Sequence, residues 1–295
     1  MRVIHRSLFA ACRFYQSLFH GNNPEEARLV DLHTADRARF LGEYFEHEVG
    51  KGSRCIERFT QYIPNLARLR VLDFGCGGGG MTFVLGTRCL EAWGIDIDRE
   101  KLEFAGREVS RRGCHNVRFV TSDGTGLPFE DEAFECVLCI DVLEHLSDPA
   151  YFIGEFYRVL RPNGQLLLSF GPPWFHPHGK HMWTRVPGPW THLLFPRAVI
   201  MELRGYSPQT TWEEIGLHRL SVCKFERAIQ QSRFQEVFLE YRIKRVLSPL
   251  RLIPLVRELF ISEVVGVYRK PGGIPDPGTP QCRPEVLDWL SPNAC

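Results

Sequence analysis

The stretch Val71-Leu72-Asp73-Phe74 runs directly into Gly75-Cys76-Gly77-Gly78-Gly79-Gly80. A buried strand that ends in glycines and opens a helix lets a ligand approach the backbone amides closely, because no Cβ stands in the way. The following 100 or so residues keep step with that unit. Apolar runs at 117–121, 136–140 and 165–170, and one ending at Gly94-Ile95-Asp96, read as further strands. Helical patterning fits between them, notably over 99–110 and 149–160, and the turn Arg161-Pro162-Asn163-Gly164 precedes the fifth strand. Strands alternating with helices imply a parallel sheet with right-handed crossovers. Two last strands, near 236–243 and 262–268, flank a short helical insert.

The glycines alone leave the ligand open, since Gly75, Gly77 and Gly80 also satisfy the dinucleotide fingerprint G-x-G-x-x-G. Asp73 discriminates. A carboxylate two residues before the first glycine opposes a pyrophosphate and suits a ligand whose near end is an amine. The resulting D-x-G-x-G-x-G pattern resembles the class I S-adenosylmethionine-dependent methyltransferases. Further matches follow in order: Asp96, then Ser122-Asp123-Gly124-Thr125-Gly126-Leu127-Pro128-Phe129, then Phe134-Glu135-Cys136-Val137, then Asp141-Val142-Leu143-Glu144-His145-Leu146. This last segment resembles the type 11 branch, which includes ubiquinone and menaquinone methyltransferases. Glu135 stands where that family usually has Asp.

The resemblance covers 65–170 well and 230–270 only topologically. It implies an α/β, Rossmann-like fold with seven strands in the order 3-2-1-4-5-7-6, strand 7 antiparallel, and helices on both faces. It also implies S-adenosylmethionine as cofactor. Asp73, Gly75, Cys76, Gly77 and Gly79 would meet its methionine part, Asp96 its ribose, Asp123 and Gly124 its adenine, with Ile97 and Asp141 also at the cofactor. A carboxylate accepts from two ribose hydroxyls at once, which explains the residue type at Asp96. Dinucleotide enzymes place an acid there too, so a nucleotide-dependent oxidoreductase stays open as an alternative. So does a non-catalytic cofactor-binding protein.

The acceptor should be decided by 171–197, which in such a fold follows the fifth strand beside the cofactor. It carries Trp174, Trp183 and Trp190 with His176, His178, His181 and His192, and its prolines make it a structured loop and not a helix. No acid occurs between Phe156 and Met201, whereas Arg158, Arg161, Lys180, Arg185 and Arg197 do. An aromatic, anionic or lipid-like small molecule is therefore expected, bound by Trp174, His176, His178, Trp183, Trp190 and His192. His145 and His181 are the candidate general bases. No metal centre is expected, because the histidine run 176–181 has no carboxylate or thiol close by in sequence. Cys136 and Cys139 have C-x-x-C spacing, but residues three apart on a strand face opposite ways.

At 295 residues, 44% hydrophobic, the chain amounts to one large domain or one with appendages. Its net charge of +1 gives no reason to expect nucleic acid as a partner. Ten cysteines, most in apolar runs (Cys76, Cys89, Cys136, Cys139, Cys223), suggest a reducing, cytoplasmic setting. Residues 1–60 are expected as a helical cover, 61–270 as the catalytic domain with 171–233 as its substrate-side insert, and 271–295 as a loose tail. Residues 1–24 contain Arg2, Arg6 and Arg13 without an acid, and 242–257 repeat that basic, apolar character. A helix packed on the domain, peripheral membrane contact through both segments, and, for the first, a transit segment stay open.

Overall fold

The computed structural model describes residues 2–18, 36–181, 188–243 and 253–272. Seven strands form one sheet: β1 (Arg70–Phe74), β2 (Glu91–Asp96), β3 (Val117–Thr121), β4 (Phe134–Ile140), β5 (Leu160–Phe170), β6 (Gln235–Ile243) and β7 (Ile261–Arg269). Their order is β3-β2-β1-β4-β5-β7-β6, and β7 runs antiparallel to both neighbours while the pairs among β1–β5 are parallel. Register brings Asp73 beside Gly94 and Phe74 beside Cys139, so the carboxyl ends of β1, β2 and β4 open on one edge.

The two-residue alternation of the strands sorts side chains into two cores. Leu72, Val137 and Cys139 face one layer, made by α5 (Pro149–Val159) and α8 (Val222–Gln231) through Phe152, Phe156 and Phe225. Val71, Cys136 and Leu138 face the other, where α2 (Arg37–Phe59) and α3 (Gly80–Gly86) contribute Ile56, Phe59, Met81 and Leu85. Cys136 and Cys139 accordingly lie on opposite faces. Each fully buried Phe or Leu here adds roughly 1.5–3 kcal/mol relative to exposure. Helix starts follow capping chemistry: Asp98 accepts from Lys101 N at the head of α4 (Arg99–Arg111), and Asp148 from Tyr151 N ahead of Pro149.

Several sequence expectations need correction. β5 starts at Leu160, not after the turn, because Leu160 already pairs with Phe134. The stretch expected to be free of helix contains the single turn α6 (Thr191–Leu194), which begins just after Gly188-Pro189, with Thr191 Oγ1 donating to Gly188 O. Cys223 is exposed and not one of the buried thiols. The Glu135 departure has a local reason: its longer side chain accepts from Arg70 N at 2.7 Å, pinning the start of β1.

Among the described residues, the cations of the acid-free stretch are already engaged. Arg158 pairs with Glu155 and Asp131, and Arg161 with Glu135. Arg197 donates to the carbonyls of Gln209 and Thr210, and buried Lys180 to Gly188 O. Arg185 lies outside the described residues.

The N-terminal region covers two different places. In α1 (Arg2–Ser17), Leu8, Phe9 and Cys12 pack with Val199, Ile200 and Met201 of α7 (Arg197–Leu203) and with Trp212. α2 instead lies across the glycine turn and α3. Phe14 and Leu18 are exposed, whereas Arg242 pairs with Glu240 and Glu263, and Arg257 with Glu226. The rest of the two proposed membrane segments (19–24 and 244–252), and the tail from 273 onward, lie outside the described residues. Among those described, no helix is long and apolar enough to cross a membrane.

Candidate active site

The glycine turn is closed by its neighbours. Gly75 has φ +71°, and a Cβ there would sit 2.4 Å from Val142 Cγ2, so only glycine lets the exit of β4 approach the turn. Gly75 N and Cys76 N donate to Ile95 O at 2.8 and 3.0 Å, tying the turn to β2. Asp96, at the end of β2, accepts from Gly77 N at 2.8 Å and from Asp98 N at 3.0 Å. Its carboxylate is thus oriented by the backbone while keeping lone pairs for a ligand. Ile97 next to it is 72% exposed and neighbours Gly124, bringing together two residues expected at the cofactor. Asp123 is exposed and accepts from Thr125 N and Oγ1, which hold its carboxyl below the usual range.

Asp73 is the anomalous group. It is 1% exposed; Thr82 Oγ1 donates to Oδ2 at 2.6 Å, and Oδ1 is buried with no partner. Burial pushes its carboxyl up to about 6, with Asp96 adding to the shift.

Helix α2 supplies three groups that sequence reasoning missed. Tyr44, Glu48 and Lys51 recur at helical spacing on one face. Gly80 lets this helix sit backbone to backbone on the turn: a Cβ there would lie 2.3 Å from Phe45 O. Glu48 accepts from Gly80 N at 3.4 Å and from the Tyr44 hydroxyl. Burial pushes Glu48 up to about 7; Tyr44 opposes the shift and Asp73 adds to it. Lys51 Nζ lies 2.7 Å from Asp141 Oδ2. The spacing 44/48/51 was a signal of one polar helix face, but nothing local says that this face meets glycines 30 residues away.

A second polar cluster begins after β4. Asp141 (φ +57°) donates its N–H to Ser169 O, and the tight turn Leu143–His145 follows. Glu144 is 3% exposed, with Oε1 accepting from Gly171 N at 3.2 Å and Oε2 buried without a partner. Burial, then the charge of Asp141, pushes it up to about 8. The ring of His145 lies 5.2 Å from that of His181, centroid to centroid. Burial, with His145 adding, pulls His181 down to about 3, so its imidazole is neutral at ordinary pH.

The other expected acceptor residues have separate surroundings. Trp174 packs edge-on against His192 and Trp212 at 4.7 and 5.2 Å, and His192 Nε2 donates to Trp174 O. These two build the core under α7 and are packing residues of the insert. Trp190 donates to Phe175 O and meets the edge of Phe260. His176 and His178 pair with each other at 5.7 Å. Trp183 lies outside the described residues.

The cradle fits S-adenosylmethionine. An orphaned buried carboxylate oxygen at Asp73, with Glu48 and Asp96 around the same glycines, calls for a cationic group and would repel a pyrophosphate. Residues 72–168 match the type 11 methyltransferase domain family. The chain is 37% identical over 127 residues to a demethylmenaquinone methyltransferase of Thermus thermophilus, covering 42% of this chain and 57% of that one. It is 35% identical over 106 residues to a ubiquinone biosynthesis O-methyltransferase of Pseudomonas fluorescens, covering 36% and 45%. The aligned part thus spans about half the length of these curated relatives. In fold it is similar to an S-adenosylmethionine-dependent methyltransferase of Methanosarcina mazei, with TM-score 0.51 and 20% identity, covering 72% of this chain and 97% of that one. Residues 72–168 therefore match the methyltransferase domain of the type 11 family, on a sheet with the class I S-adenosylmethionine-dependent methyltransferase fold.

Proposed function

We propose that this chain transfers a methyl group to an aromatic, lipid-like small molecule. The observation that carries the reading is the cradle itself: the partnerless Asp73 Oδ1 under a turn lined by Glu48 and Asp96. When bound, the cofactor supplies a methyl group already activated by its sulfonium. The chain's own task is then to hold, orient and deprotonate. Asp73 and Glu48 would hold the amine end, Asp96 the ribose, and Ile97 with Gly124 the adenine edge. α2 excludes water from above through Tyr44, Glu48 and Lys51. Positioning of this kind supplies much of the acceleration in group transfer, on the order of 7–11 kcal/mol when complete. An acceptor that arrives protonated must also lose its proton, and Glu144, His145 and His181 are the groups gathered beside the cradle to take it.

The names of the two quinone-pathway relatives support an aromatic, lipid-like acceptor. An anionic one loses its support, because Arg158, Arg161 and Arg197 are engaged elsewhere. The test is transfer from cofactor labelled on its methyl group into a cell extract fractionated by polarity. Label should enter the apolar, organic-extractable fraction. Label confined to polar fractions would overturn the acceptor class. Cofactor binding without transfer into any fraction would favour a binding protein over an enzyme.

A further inference from the structure

Glu144, His145 and His181 come from two segments 36 residues apart, yet one ligand atom from each lies within 4.8 Å of the other two. Three local features prepare those atoms. Glu144 is almost wholly buried, and its Oε1 is anchored by Gly171 N while Oε2 has no partner. A buried acceptor left unpaired is costly, and a cation would satisfy it. His145 Nδ1 stands 2.7 Å from Gly216 O. A carbonyl only accepts, so Nδ1 carries the proton and Nε2 is left with its lone pair. This outer hydrogen bond to a backbone carbonyl is the arrangement that fixes metal-ligating histidines in position. His181 adopts φ +60°, a conformation uncommon outside glycine, with its N–H donating to His178 O. That turn places its ring against His145.

We propose that Glu144, His145 and His181 bind one divalent transition-metal ion beside the cofactor cradle. One carboxylate and two imidazoles suit Zn²⁺, Mn²⁺ or Fe²⁺; Mg²⁺ and Ca²⁺ prefer all-oxygen sets. Asp141, the other acid of this turn, is held by Lys51 and is not counted among the ligands. Three protein ligands leave positions open to water or to an oxygen of the acceptor. Val142, in the same turn, touches the place a Gly75 side chain would fill, so the site borders the cradle. Its use in making an acceptor hydroxyl more acidic rests on the methyl-transfer reading. Binding of the ion does not.

The experiment is calorimetric titration of the full chain, stripped with a chelator, with Zn²⁺ alone. Wild type should take up one ion per chain. His181→Ala and His145→Ala should weaken binding about 100-fold or more, and so should Glu144→Gln, which keeps the Gly171 hydrogen bond. The double variant His176→Ala/His178→Ala should bind as wild type does. No stoichiometric uptake by wild type overturns the site. So does loss confined to the His176/His178 variant, which would mark adventitious binding by surface histidines. S-adenosylmethionine is titrated into each sample in parallel. Retained cofactor binding shows that a variant is folded. Zn²⁺ uptake without cofactor binding by wild type would leave the metal site standing and remove the methyl-transfer reading.

Discussion

The cofactor side and the acceptor side of this protein are assembled from different kinds of sequence. Asp73, the glycine turn, Asp96 and Asp123 each sit at the end of a parallel strand or in the loop after it, at intervals set by the fold. The proposed acceptor side draws on Glu144 and His145 after β4 and on His181 from a proline-rich segment, while Trp174 and His192 pack beneath α7. In the first region, position along the chain predicts position in space. In the second, chain neighbours diverge: His181 turns toward Glu144, whereas His176 and His178 pair with each other.

The sharpest way to break this contrast is at Asp73. Asp73→Asn keeps a partner for Thr82 but removes the charge, and should weaken S-adenosylmethionine binding about 100-fold or more by calorimetry, roughly 3 kcal/mol. Unchanged affinity would mean that the cradle does not hold a cationic group. Next comes the packing assignment. Trp174→Ala should lower stability by about 2–4 kcal/mol in denaturant unfolding, with cofactor affinity nearly unchanged. If melting is unaffected and turnover alone falls, Trp174 lines the acceptor pocket after all.

Glu48 tests whether α2 belongs to the cofactor side. Burial holds its carboxyl at about 7 in the folded protein, above its ordinary value of 4.5. The folded protein therefore binds the proton more tightly, and cofactor-free wild type should lose stability as pH rises from about 4.5 to about 7. Asp73, raised to about 6, acts in the same direction. Glu48→Gln should flatten that slope and raise stability at pH 8 by on the order of 1–2 kcal/mol, measured by thermal or urea unfolding. A pH profile identical to wild type would place Glu48 in contact with solvent. The smallest expected effect is at Asp96, whose carboxylate is already shared with two backbone amides. Asp96→Ala should cost about 1 kcal/mol of cofactor affinity, and equal affinities would remove Asp96 from the ribose site.

The strand order was implied by the family resemblance; the amino-acid sequence by itself determined the strands and the cofactor edge. Those features rest on local periodicity and on residue types forced by close backbone approach, and both are written within a few residues of each other. Its silence began wherever a group's role depends on a partner distant in the chain. The histidine run has no carboxylate near it in sequence, and folding brings Glu144 beside His181. The acid-free stretch looked cationic because Glu155, Asp131 and Glu135 lie before it in the chain. Tyr44, Glu48 and Lys51 read only as a helix face until Gly80 let that helix settle on the turn. Pairing, burial and desolvation are properties of three-dimensional neighbourhoods, and only the tertiary structure decided them.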